Sequence, residues 1–296
     1  MSTYRGRFAP SPTGPLHLGS LFAALISYLE ARSHQGQWLL RIEDVDTQRE
    51  QPEAQQSILD TLETHGLHWD EPVRYQSRRS TVYEKVLQQL AAQKQTYQCP
   101  CSRKQLQATH GKHIDACQKS SNSAHKLDQF PPFKAATKFC HKQTTTHWND
   151  SILGVMQAEQ TEDFVLKRKE GFYAYQLAVV CDDIDQGITH VIRGSDLLDS
   201  TPMQLALYAA LHKQPPTFGH FPILLNAQQQ KLSKQTYASA VSNKTPVENL
   251  LRLFNILRLP IKSQPTTASE ALQMALQVWD KQYIPKTKSL KHTPTV

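Results

Sequence analysis

The chain of 296 residues, 33.6 kDa, is long enough for about two domains at roughly 150 residues each, with a core that needs neither metal nor disulfides to fold. A mean hydropathy of −0.52, no run near the ~18 apolar residues of a membrane span and an N-terminus lacking an apolar signal core argue against membrane insertion and secretion, so a cytoplasmic protein is expected. Lysine and arginine outnumber acids 33 to 26, a net charge of +7 that invites a polyanionic partner without identifying one.

In chain order, Tyr4 to Ala9 is extended in character and breaks at Pro10, Pro12, Gly14 and Pro15. Leu18, Leu21, Phe22, Leu25, Ile26 and Leu29 recur at helical spacing, and Gly36 ends the run. Trp38 to Ile42 reads as a strand closed by the acidic cluster 43–46. Strand, turn, helix, strand opens a parallel α/β domain. Helices are expected over about 52–64 and 77–95, and the polar stretch 118–149 reads as loop or peripheral insertion. Asp163–Lys167 is a strand, Tyr175–Val180 helix or strand, Thr189–Ile192 a strand, Pro202–Leu211 a helix and Phe221–Leu225 a strand. Helices over Val247–Leu257 and Ala268–Trp279 follow, and the basic tail from Pro285 is expected to fray.

Two segments carry chemistry. R-F-A-P-S-P-T-G-P-L-H-L-G-S over 7–20 joins a strand to a helix, and His17, Gly19 and Ser20 fall at the helix start, where unpaired N–H groups and the dipole favour phosphate. K-L-S-K-Q over 231–235 sets Lys231 and Lys234 around a serine on a polar loop, suited to the charge that develops as phosphates separate. Either alone reads as an ordinary cap or a solvated loop. In this order, with an α/β pattern between them, they indicate nucleotide chemistry.

Together with R-I-E-D-V-D-T (41–47), Y-A-Y-Q-L-A-V-V-C-D-D (173–183) and V-I-R-G-S-D-L-L (191–198), these segments resemble the class I aminoacyl-tRNA synthetases of the glutamyl/glutaminyl branch, over about residues 4–240. The first looks like that branch's HIGH motif and the second like its KMSKS loop. The resemblance implies a Rossmann-type parallel-sheet catalytic domain in two halves, 1–95 and 161–240. An inserted zinc-bearing subdomain would occupy 96–160 and a short helical region 241–296. It implies that Arg7, Ala9, Ser11, Glu43, Tyr175 and Arg193 border the amino-acid pocket, the arginines meeting carboxylate and Glu43 the ammonium. Without the resemblance, Tyr175 and Arg193 would read as structural. His17, Gly19, Ser20, Lys231 and Lys234 would hold ATP, which arrives with magnesium, and His17 and Lys234 would serve catalysis.

Three of the five cysteines lie within nineteen residues, and Cys99, Cys101, His113 and Cys117 make a closed ligand set of the kind structural zinc prefers. Related sequences carry tyrosine where His113 stands, and His110 rivals it for the fourth position. Only 61 residues follow Gln235, too few for the large helical domain with which such synthetases read an anticodon. That shortfall resembles members of the branch that attach L-glutamate to queuosine in the anticodon loop of tRNA(Asp), acting as monomers. The alternatives are a truncated enzyme charging a tRNA 3′ end and an inactive paralogue that binds RNA. Glutamate rather than glutamine rests on the resemblance.

Overall fold

The computed structural model describes residues 3–46, 50–108, 135–141, 144–160, 162–232 and 239–291. Strand β1 (Arg5–Phe8), helix α1 (Leu18–Ser33), strand β2 (Gln37–Ile42), helix α2 (Ala54–Thr64) and the two-residue strand β3 (Arg74–Tyr75) form a βαβαβ unit with both strand pairs parallel. Helix α3 (Ser80–Ala92) follows a 3-10 turn over 76–79, so the long expected helix is split. Helix α5 (Tyr175–Asp185) leads to β9 (His190–Gly194), helix α6 (Thr201–Ala210) and β10 (Thr217–Phe221), which pairs parallel with β9. Thr189 N–H donates to Arg5 O at 3.0 Å, setting β9 beside β1. The ambiguous Tyr175–Val180 segment is therefore helix, as a parallel crossover demands.

Between the two halves, β4 (Thr96–Cys99), β5 (Ala136–Phe139) and β8 (Phe164–Lys167) make an antiparallel sheet, with the short helix α4 (Arg103–Ala108) after β4. A hairpin of β6 (Thr144–Asp150) and β7 (Gly154–Gln160) packs against β10 and α6. The structure thus corrects the reading of 118–149 as loop: its described part holds β5 and β6. The sequence of β6 gave no apolar alternation to betray it. Its turn is built by Asp150, whose Oδ1 accepts from the N–H of Ile152 and Leu153, with Gly154 at φ 88°.

Phe221–Leu225 is two strands rather than one. Pro222 has no N–H for the ladder, so β10 ends at Phe221 and β11 (Ile223–Leu225) pairs elsewhere. Its partner is β12 (Ser289–Lys291), so the described part of the basic tail is paired rather than frayed. Helices α7 (Pro246–Leu257) and α8 (Ala268–Val278) complete the described chain.

Alternation along β2 divides the interior. Trp38, Leu40 and Ile42 face a core with Phe22, Leu25 and Leu29 of α1 and Leu250, Leu253 and Phe254 of α7. Leu39 faces a second core with Tyr83, Leu177, Leu207 and Phe218. Each fully buried leucine contributes about 1.5–3 kcal/mol, so both faces of the parallel sheet are anchored and the C-terminal helices share the core of α1. Gly36 permits the turn into β2: a Cβ there would lie 2.5 Å from the Tyr4 carbonyl oxygen. Among the described residues no helix is long and apolar enough to cross a membrane.

Candidate active site

The carboxyl ends of β1, β2, β9 and β10 open into a cleft of about 230 Å³, the usual ligand position in a parallel α/β sheet. Arg7 and Ala9 come from the end of β1, Glu43 from the end of β2, Tyr175 from the start of α5 and Arg193 from β9. His17, Gly19 and Ser20 line it from α1, and Lys231 from the loop after β11. Ser11 is not in the lining: it is exposed, and its carbonyl accepts from Thr13 N–H at 2.9 Å. Lys234, His110, His113 and Cys117 lie outside the described residues.

The floor is a knot of buried charge. Asp183 Oδ1 accepts from Arg7 Nε at 3.2 Å and from an Arg41 terminal nitrogen at 2.7 Å. Against the cost of burial, the Arg41 and Arg7 guanidiniums hold the Asp183 carboxyl below its ordinary range. Arg41 also lies 3.8 Å from Glu43 Oε1, too long for a hydrogen bond. That oxygen is buried with no hydrogen-bond partner. Burial is the main reason the Glu43 carboxyl is pushed up to about 7, with Arg41 and Arg7 pulling the other way. An orphaned carboxylate oxygen facing a cleft is an acceptor waiting for a cationic donor.

Arg193 is held by neutral acceptors alone: Nε donates to His220 Nε2 at 2.9 Å, and its terminal nitrogens donate to Gln204 Oε1 at 2.8 Å and Thr201 Oγ1 at 2.9 Å. Among the described residues no carboxylate pairs with it. Burial lowers its pKa, while the Tyr175 hydroxyl interacts favourably with it. Burial likewise pushes the Tyr175 phenol up, with the Glu43 carboxylate adding to the effect.

At the other end, His17 caps α1. Ser20 N–H donates to His17 Nδ1 at 3.2 Å, and the Ser20 hydroxyl bonds both the N–H and the C=O of His17 at 2.8 Å. The Ser20 hydroxyl is therefore committed to the cap. Gly19 admits the returning loop: a Cβ there would meet the His17 ring at 3.2 Å and the Leu232 carbonyl at 3.4 Å. Lys231 Nζ pairs with Asp196 Oδ2 at 2.5 Å inside the same cleft.

Sequence reasoning missed Arg41, Asp183, Asp196 and His220 as parts of the site. The first three stood within quoted motifs, but nothing local marked their roles. Cys99 and Cys101 are buried in a small cluster with Tyr97, and the two thiols interact. No group of three metal-ligating side chains assembles among the described residues.

A doubly covered parallel sheet, a capped helix N-terminus and a returning lysine loop, all facing one cleft, define a class I aminoacyl-tRNA synthetase catalytic core. Residues 3–259 match the family described as tRNA synthetases class I (E and Q), catalytic domain, and the chain belongs to that family. Within it, the chain is 43% identical over 285 residues to the glutamyl-Q tRNA(Asp) synthetase of Idiomarina loihiensis, covering 95% of this chain and 98% of that protein. It is 43% identical over 289 residues to the protein of the same name from Neisseria meningitidis serogroup B, covering 96% and 98%. The glutamate tRNA ligase of Elizabethkingia meningosepticum, solved in complex with its amino acid, superimposes with a TM-score of 0.79 at 25% identity, over 99% of this chain and 67% of that one.

Proposed function

We propose that the chain activates L-glutamate with ATP and transfers it to queuosine in the anticodon loop of tRNA(Asp). The observation that carries the substrate reading is the charge of the cleft floor. Three buried guanidiniums, Arg7, Arg41 and Arg193, face the buried Asp183 carboxyl and the partly buried Glu43 carboxyl, of which only Asp183 is held firmly ionised. The excess positive charge suits an amino acid with two carboxylates and one ammonium over the neutral amide. Arg7 and Arg193 take the carboxylates, Glu43 Oε1 accepts from the ammonium, and Tyr175 closes the pocket.

In the first step the substrate α-carboxylate oxygen attacks the α-phosphorus of ATP and the bond to pyrophosphate breaks, leaving glutamyl-adenylate. The protein supplies position and charge. Gly19 lets the nucleotide approach α1, and His17 with Lys231 and Lys234 meets the phosphates. Magnesium accompanies ATP and neutralises phosphate charge when bound. In the second step a hydroxyl of the queuosine cyclopentenediol attacks the acyl carbon and AMP leaves. A splayed, modified base reaching a pocket is the usual mode of single-stranded RNA recognition.

The acceptor reading is supported by relatives of that name matched over nearly their whole length. The domain division given above, a monomer and a cytoplasmic site of action belong to the same proposal. So does one structural zinc: Cys99 and Cys101 offer two adjacent buried thiols, and His113 (or His110) with Cys117 would complete four ligands.

The test is transfer of labelled glutamate to tRNA(Asp) with and without queuosine. Label that requires queuosine supports the reading; label on the 3′ end of tRNA(Glu) favours a charging enzyme, and no glutamate-dependent pyrophosphate exchange leaves an RNA-binding protein.

A further inference from the structure

We propose that Asp150 and His220 form a positioning relay that fixes the direction of the Arg193 guanidinium, and through it the grip on the substrate carboxylate. The inference rests on Arg193 being a glutamate ligand. Asp150 and His220 are both 0% exposed. His220 lies in β10, while Asp150 is contributed by the turn of the β6–β7 hairpin, seventy residues away.

The hydrogen bonds leave one arrangement of protons. Asp150 Oδ1 accepts three backbone N–H groups, those of Ile152 at 3.0 Å, Leu153 at 2.9 Å and His220 at 3.1 Å. Asp150 Oδ2 meets His220 Nδ1 at 2.5 Å. On the far side of the ring, Nε2 lies 2.9 Å from Arg193 Nε and 3.3 Å from the Thr201 hydroxyl. Arg193 Nε always carries a hydrogen, so Nε2 must present a lone pair, and the ring proton must sit on Nδ1, donating to Asp150. Burial favours this neutral ring, and the His220 bonds in turn hold the Asp150 carboxyl low. The carboxylate thus selects the tautomer, and the tautomer supplies the acceptor that aims the arginine.

Replacing Asp150 with asparagine tests this with little change of shape. The three backbone donors keep the side-chain oxygen on the Oδ1 side, so the amide NH2 must face His220 Nδ1. The ring proton then moves to Nε2 and confronts Arg193 Nε, donor against donor. Loss of one charge-assisted contact to the substrate corresponds to about tenfold or more in affinity.

Three measurements decide the matter. Nitrogen-15 NMR of the wild-type protein, with His220 identified by the signal absent in His220→Gln, is expected to show a neutral ring protonated at Nδ1. An Nε2–H or doubly protonated ring overturns the proposal, and this readout needs no Asp150 variant to fold. In glutamate-dependent pyrophosphate exchange, Asp150→Asn is expected to raise the KM for glutamate about tenfold or more, with the KM for ATP and kcat changed less than about twofold. A folded Asp150→Asn protein with unaltered glutamate KM, or with kcat and both KM values altered together, refutes the relay. Arg193→Lys separates the two levels: if it leaves the glutamate KM unchanged, the reading of the site fails and the relay's role with it. If it raises that KM while Asp150→Asn does not, only the relay fails.

Discussion

The orphaned oxygen of Glu43 makes glutamate binding a proton-linked event. Burial pushes this carboxyl from 4.5 to about 7 in the ligand-free protein. At pH 8 about nine molecules in ten carry the carboxylate that an ammonium requires, at pH 7 about half, and at pH 6 about one in ten. Apparent affinity for glutamate is therefore expected to fall about tenfold from its high-pH limit on going to pH 6. Binding is expected to release roughly 0.1 proton at pH 8, 0.5 at pH 7 and 0.9 at pH 6, measurable by calorimetry in buffers of different ionisation enthalpy. The same shift bears on stability with the opposite sense. The folded-state pKa is raised above the unfolded one, so the fold favours the protonated form. Stability from this group is full below about 4.5 and is lost as pH rises through 7, a cost of about 3 kcal/mol at pH 8. Glu43→Gln freezes the neutral form. The variant is expected to melt at higher temperature than wild type at pH 8 and to converge with it near pH 5. It is also expected to bind glutamate weakly, with no pH dependence between 6 and 8. Affinity that is level across that range in the wild-type protein, with no proton released, would refute the argument.

Asp183→Asn leaves two buried guanidiniums without their shared carboxylate, at a cost of about 3–5 kcal/mol that a denaturant melt would register; an unchanged midpoint would mean the cluster is not buried as described. Gly19→Ala sets a methyl 3.2 Å from the His17 ring, and the KM for ATP is expected to rise severalfold with the glutamate KM and melting temperature unaltered, as pyrophosphate exchange would report. Lys234→Ala is expected to impair that exchange while circular dichroism stays native; full activity would remove this lysine from the ATP site. Metal analysis is expected to find about one zinc per chain, lost in the Cys99→Ser, Cys101→Ser protein, and a metal-free, fully active wild type would sink the zinc assignment.

What could be read from the sequence divides by distance along the chain. His17 and Gly19 were legible because a helix cap and its close neighbours span only a few residues, and the buried α1 and the amphipathic α7 because their apolar spacing is local. The partners that set chemical behaviour were not. Asp183 meets Arg41 across 142 residues and Arg7 across 176, so the acid in the D-D pair that binds both arginines cannot be told from Asp182, which pairs with Arg79. The β6–β7 hairpin escaped notice for a related reason. Its polar strands owe their place to inter-strand pairing and to the Asp150 turn rather than to an apolar face.

That hairpin changes how the inserted segment bears on the cleft. A peripheral insertion would be free to vary without consequence for the pocket, yet this one ends its first strand on a carboxylate locked to the ring behind Arg193. The two arginines are then held on different principles. Arg7 shares a fixed negative charge with Arg41, which offsets part of its field, whereas Arg193 is surrounded by neutral acceptors that orient it and leave its charge for a ligand. Replacing one of those acceptors by a carboxylate, as in Gln204→Glu, would keep a hydrogen bond to the Arg193 terminal nitrogen but pair its charge internally. Glutamate affinity is expected to fall even though the guanidinium stays in place, an outcome that titration of the variant beside Asp150→Asn would distinguish from loss of orientation.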